Sequence, residues 1–256
     1  MPFELEFEDT FEGDSLDPGR WLACYLPHWS SRSRSAARYA TGRGLSLRIE
    51  ADQEPWCPEW DGEVRVSSIQ TGTFSGPPGS PIGQHRFHPD AVVREEQENV
   101  LLYGPRYGRV ELRAQAPRDP QAMVALWMIG YEDEPERSAE ICVCEIFGSE
   151  IEPGRALVGM GIHPFGDRGL RDTFSKGALA IDATAPHEYA VEWIPGRSSF
   201  FVDGELVKSD DQAPGYPMQL MLGIYEFSHE GEGGYPKELS VEYVRGYGYF
   251  EGSERA

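Results

Sequence analysis

Two runs of sequence decide how this chain is read: Ala125-Leu126-Trp127-Met128-Ile129-Gly130 and Ala139-Glu140-Ile141-Cys142-Val143-Cys144-Glu145-Ile146-Phe147-Gly148, joined by an acidic turn over residues 131–137. Residues 123–129 are apolar on both faces, which predicts a strand lying between layers. The second run places two glutamates in an apolar strand. Burying an unpaired carboxylate is costly, so glutamates there need a reason. Glycoside hydrolysis supplies one, because it uses paired carboxylates: a nucleophile, and an acid that later serves as base.

Strand geometry tests the pairing. In a regular strand Glu140, Cys142 and Cys144 share one face, and Glu145 points to the other. A β-bulge adds one residue and returns Glu145 to the face of Glu140. Four effective steps still span roughly 13 Å, whereas retaining glycosidases hold their carboxyl groups about 5–5.5 Å apart. The strand must therefore curve, with its side chains converging across a concave face.

Working outward, strand patterns recur and regular helix signals are nearly absent. Leu45, Leu47 and Ile49 alternate with Ser46 and Arg48, and Val110, Leu112 and Ala114 with Arg109, Glu111 and Arg113. Tyr189, Val191 and Trp193 form a third such set, and Leu239, Val241 and Tyr243 a last one. Asp203-Gly204, between Phe200-Phe201-Val202 and Leu206-Val207, is a hairpin signal. Many short strands separated by turn residues predict an all-β sandwich or barrel in a single domain over 1–256. Residues 24–43, 54–99 and 165–178 read as long loops, which in a compact domain serve binding.

Composition narrows the partner. The chain has 43 acidic against 23 basic residues, a formal charge of −20. Phosphate-rich nucleic acid and anionic membrane surfaces would be repelled, as would heavily sulfated sugars. A neutral ligand fits, and a monomer is expected. No apolar run is long enough to span a membrane. The segment Met1-Pro2-Phe3-Glu4-Leu5-Glu6 lacks the basic and apolar regions of a signal peptide, so the chain is either cytoplasmic or secreted with its leader removed. Cys24 and Cys57 could form a disulfide or remain two free thiols. Cys142 and Cys144 lack zinc spacing and read as core thiols. His85 and His88, in a Pro-rich loop, read as surface residues. Trp29, Trp56 and Trp60 either line a sugar cleft or cap the sandwich. Tyr225 and Phe227 fit a strand along the concave face, and Glu226 between them has no assigned role.

Taken together, these residues resemble the family 16 glycoside hydrolases, the laminarinase and lichenase group, which share a concanavalin-like β-jelly roll. The family motif Glu-x-Asp-x-x-Glu is matched by Glu140, Cys142 and Glu145. Supporting matches are Phe7-Glu8-Asp9-Thr10-Phe11 through Trp21, Tyr107 to Ala114, Ala125-Leu126-Trp127, His187 to Trp193, Phe201 to Gly204 and Val241 to Tyr247.

The resemblance implies a retaining endo-hydrolase of internal β-bonds in a neutral, β-glucan-like polysaccharide. Glu140 would be its nucleophile and Glu145 its acid/base. Trp127 and Trp193 would present aromatic faces to sugars, Tyr225 would line the same cleft, and His163 resembles a cleft histidine. The departure is Cys142, which stands where the family has an aspartate that orients the nucleophile. A thiol is a weak donor that stays protonated beside acids. Loss of the central negative charge would also lower the pKa of the acid. The rival expectation is therefore a catalytically weak or silent carbohydrate-binding jelly roll. No cofactor is implied beyond a structural calcium between the first and last strands, where Glu242 replaces the usual aspartate.

Overall fold

The computed structural model describes residues 3–227 and 233–250; Met1 and Pro2 of the segment read for a leader lie outside them. Two antiparallel sheets form a jelly-roll sandwich. The first runs in the order Glu205–Asp210, Arg197–Val202, His187–Ile194, Gly108–Gln115, Lys237–Tyr249, Leu45–Ile49 and Arg38–Ala40, with Phe3–Asp9 also paired to Lys237–Tyr249. The second runs Ile151–Glu152, Arg155–His163, Glu140–Phe147, Ala122–Gly130, Met218–Glu226 and Arg65–Gln70, with Ser175–Leu179 paired to Arg155–His163. None of the helices among the described residues is long and apolar enough to cross a membrane.

The alternating strands behave as their periodicity requires. Leu45, Leu47 and Ile49 are buried while Ser46 and Arg48 are half-exposed, and Val110, Leu112 and Ala114 join the core between the sheets. At the 203–204 turn both residues have left-handed backbone, φ 49° for Asp203 and 79° for Gly204. That conformation gives a two-residue hairpin the twist of its flanking strands.

Strand Ala122–Gly130 is apolar throughout because it separates two cores. Val124, Leu126 and Met128 face the other sheet. Met123, Ala125, Trp127 and Ile129 face a second cluster built from loop residues, including Tyr25, Leu26, Trp29 and Trp56. Trp29 and Trp56 are fully buried and cap the sandwich there. Trp29 Nε1 donates to the Gln84 carbonyl at 2.8 Å, and Trp56 Nε1 to Asp61 at 2.6 Å.

The long loops hold more order than their composition suggests. Arg65–Gln70, expected as loop, is a strand of the second sheet paired to Met218–Glu226. Its centre, Ser67-Ser68, is buried with no apolar signal. Ser67 Oγ donates to the Arg38 carbonyl at 2.9 Å and Ser68 Oγ to that of Leu222 at 3.0 Å, so both hydroxyls are satisfied. Ser175–Leu179 is likewise a strand at the end of a supposed loop.

All four cysteines are free and buried, including Cys24 and Cys57. At the expected calcium position Glu242 instead accepts from Arg113 Nε at 2.8 Å. Nowhere among the described residues do three or more His, Cys, Asp or Glu side chains gather as a metal site requires.

Candidate active site

The bulge inferred from the sequence is present. Opposite Leu126 stands Cys144, and opposite the next residue, Trp127, stands Cys142, so Val143 is the extra residue. The same offset appears on the other side, where Gly159 pairs with Glu145 and Gly161 with Cys142. Ile141, Val143, Cys144 and Ile146 consequently all point into the sandwich core. Glu140, Cys142 and Glu145 all line a slot on the opposite face. One inserted residue has turned both carboxylates to the same side.

The slot has a volume of about 140 Å3 and is walled by Tyr25, His85, Trp127, Tyr225 and Phe227. Trp127 Nε1 donates to Tyr225 Oη at 2.9 Å, which fixes both rings. Tyr225 stacks nearly parallel on Phe227, with ring centroids 5.7 Å apart, and Phe227 is 50 % exposed. An exposed aromatic face of this kind suits the apolar face of a pyranose.

Two glycines open the flank of the Glu140–Phe147 strand. A Cβ at Gly159 would lie 2.5 Å from the Phe174 ring and 3.2 Å from Glu145 Cβ. Gly161, at φ 140°, leaves space in which Thr173 and Phe174 approach closely. This close passage stacks Phe174 on His163, with centroids 4.7 Å apart and planes at 26°. His163 Nδ1 lies 3.1 Å from Asp172 Oδ2, and His163 stands opposite Glu140 in the strand pair.

Burial dominates the electrostatics. Glu140 is pushed up to about 8 by burial, then by the charges of Glu145 and Asp172. Glu145 is raised by burial, with Lys176 and His163 pulling it back. It remains raised even though a neutral thiol stands at 142, so the expected fall from losing the central charge is outweighed by desolvation. Burial, then Glu140 and Glu145, hold the Cys142 thiol well above its ordinary range. Its Sγ lies 3.7 Å from the Gly159 carbonyl, to which it donates. It therefore gives Glu140 no proton.

Other expected contacts sort cleanly. Trp127, His163 and Tyr225 lie in or beside the slot. Trp193 does not: it is fully buried in the core between the sheets, on a strand of the first sheet. An indole at that alternating position packs inward and meets no sugar. His85 corrects the surface reading, because its ring lies against Trp127, 5.0 Å between centroids, inside the slot. No local pattern marked it; Gln84 holds the loop that delivers it. Glu226 forms an ion pair with Arg65 at 3.3 Å and accepts from Tyr235 Oη at 2.9 Å, which is a structural role.

Known proteins share this fold. No curated protein sequence matches the chain significantly. Among solved structures, a GlcNAcα1-4Gal-releasing endo-β-galactosidase from Clostridium perfringens is 27 % identical, with a TM-score of 0.85 over 99 % of this chain. The present chain spans 64 % of that protein's length. A laminarinase from Rhodothermus marinus is 21 % identical with a TM-score of 0.64, covering 97 % of this chain and 98 % of its own. A laminarinase from Flavobacterium sp. UMI-01 is 18 % identical with a TM-score of 0.63, covering 95 % and 100 %. These last two share the fold. The model of glycosyl hydrolases family 16 matches residues 104–244, a span that contains the bulged strand and the sheet around it. Since that match covers more than half of its length, the chain belongs to glycosyl hydrolases family 16.

Proposed function

We propose that the protein is a retaining endo-β-glycosidase acting on a neutral glycan, with its turnover limited by Cys142. One observation carries the reading: the Val143 bulge brings Glu140, Cys142 and Glu145 into one aromatic-walled slot. Glu145 gives its proton to the glycosidic oxygen as the bond to the anomeric carbon breaks. The Glu140 carboxylate attacks that carbon and forms a glycosyl ester. Glu145, now ionised, takes a proton from water, whose oxygen displaces Glu140 and leaves the anomeric configuration unchanged overall.

The likeness to an endo-β-galactosidase across nearly the whole chain supports a galactosidic linkage ahead of the glucosidic one. Neutral β-galactans and β-glucans assayed for new reducing ends test this. Cleavage is expected, with Glu140→Ala and Glu145→Gln each losing at least about a hundredfold in kcat. Unchanged turnover in either variant would remove its role. Binding without cleavage would instead favour a carbohydrate-binding jelly roll, the reading that Cys142 motivates.

A further inference from the structure

The segment Arg171-Asp172-Thr173-Phe174-Ser175 lies within the stretch whose composition reads as a binding loop. It forms a strap along the Arg155–His163 strand, where Gly159 and Gly161 leave it room. Thr173 is its centre. The Thr173 N–H donates to the Ile162 carbonyl at 2.9 Å, and Thr173 Oγ1 accepts from the Ile162 N–H at 3.2 Å. One residue thus engages both backbone groups of the position before His163. The same hydroxyl donates to Asp210 Oδ2 at 2.9 Å.

The far end of this clasp belongs to the other sheet. Asp210 ends Glu205–Asp210, the edge strand of the first sheet. Lys208, on the same strand, donates through Nζ to the Thr173 carbonyl and, at 2.8 Å, to Ser175 Oγ. Gln212, buried just beyond, makes a two-way pair with the Arg171 backbone: its Oε1 accepts from the N–H at 2.9 Å and its Nε2 donates to the carbonyl at 2.6 Å. The Asp210 side chain is only 10 % exposed and that of Lys208 20 %. Burying such charges is costly unless hydrogen bonds satisfy them, and the strap supplies those bonds. A sandwich can leave its two edges apart; here Lys208, Asp210 and Gln212 of one edge hold a loop of the other.

What the strap carries is the flank of the carboxylate pair. Asp172 Oδ2 lies 3.1 Å from His163 Nδ1, and Asp172 Oδ1 accepts from the Phe174 N–H at 3.0 Å. Phe174 stacks on the His163 ring, and Phe165 lies 5.9 Å from it. His163 stands opposite Glu140. Burial raises Glu145, and Lys176 and then His163 pull it back. Burial lowers His85 to about 4, helped by His163, which leaves His85 neutral at pH 7. The His163 ring therefore acts on other groups of the slot, and its own place is set by the residues on either side of Thr173.

We propose that Thr173 is a positioning residue of the candidate active site: clasped between Ile162 of the second sheet and Asp210 of the first, it holds Asp172 and Phe174 against His163. A hydroxyl suits the task because it accepts and donates at once, which the isosteric valine cannot do. Thr173 acts on turnover through His163. That effect on turnover rests on the glycosidase reading; the hold on His163 does not.

Proton NMR of the imidazole rings and steady-state turnover on β-galactan and β-glucan test the clasp on the same variants. The His163 signals are assigned by their loss in His163→Gln, and stacking on Phe174 places them upfield in the wild type. Thr173→Val should move them downfield and lower kcat about tenfold or more, with KM changed less, because a small misplacement remote from the chemistry is costly. Asp210→Ala should do the same from the other sheet, and it decides the matter if Thr173→Val does not fold. Thr173→Ser should restore both readouts. Ser209→Ala should change neither, since Ser209 Oγ donates away from the strap, to the Ser198 carbonyl at 3.4 Å. Unchanged His163 signals in folded Thr173→Val or Asp210→Ala would overturn the proposal, as would shifted signals with undiminished kcat. A wild type that cleaves neither glycan would end the hydrolase reading, and the His163 signals alone would then sustain or overturn the clasp.

Discussion

Cys142 separates two demands that the family's aspartate meets together. It fills the space between two carboxylates, yet its proton goes to the Gly159 carbonyl and leaves Glu140 without a side-chain hydrogen bond among the described residues. Double displacement needs Glu140 ionised and Glu145 protonated. Burial raises both groups and holds Glu140 at about 8, so near neutrality Glu140 is largely protonated, the wrong state for a nucleophile. The kcat/KM of wild type is therefore expected to be low at neutrality and to rise on a limb near pH 8, as Glu140 ionises. A protonated aspartate at 142 would donate to Glu140 and favour its ionised form. Cys142→Asp should then raise kcat about tenfold or more, the worth of one hydrogen bond to a charged group. It should also move that limb to lower pH, since a hydrogen bond to the ionised form lowers the pKa of Glu140. An unchanged pH–rate profile would show that the thiol does not limit catalysis.

At the level of elements, alternation and one bulge were legible in the sequence, whereas the reach of loops was not. The Glu140–Phe147 strand could be read because an odd offset between two glutamates in an apolar run has a single common remedy, an inserted residue. Arg65–Gln70 could not, because its inward serines owe their burial to carbonyls of Arg38 and Leu222 that are distant in sequence. His85 escaped for a similar reason, since buried Gln84 anchors its loop by contacts to residues 131 and 219. Trp193 was misplaced because its cleft role came from the family resemblance, whereas its alternation with Tyr189 and Val191 belongs to the buried face they share. Its core position carries a prediction. Trp193→Ala should cost about 3–5 kcal/mol of stability in denaturant unfolding, while Trp193→Phe, if folded, should keep KM within twofold. A large rise in KM for Trp193→Phe would return the indole to the cleft. Gly161→Ala should cost about 1–3 kcal/mol, because φ 140° is closed to a side chain and Thr173 and Phe174 occupy the space. A neutral effect on unfolding would contradict that packing.

For the whole molecule, a formal charge of −20 and a slot built from carboxyls, aromatics and neutral histidine point to an uncharged chain as substrate. Sulfated galactans should neither bind nor inhibit at low salt, where repulsion reaches furthest; inhibition by one would contradict the electrostatic argument. The sandwich supplies the rigidity that this chemistry needs, since its catalytic strand is held between two neighbours and over a closed core. If Glu140 and Glu145 work by double displacement, the anomeric form of the first product reveals it. Time-resolved proton NMR of a neutral β-galactan or β-glucan digest should show the β-anomer appearing first, followed by mutarotation. First appearance of the α-anomer, or no new reducing ends from either glycan, would contradict it.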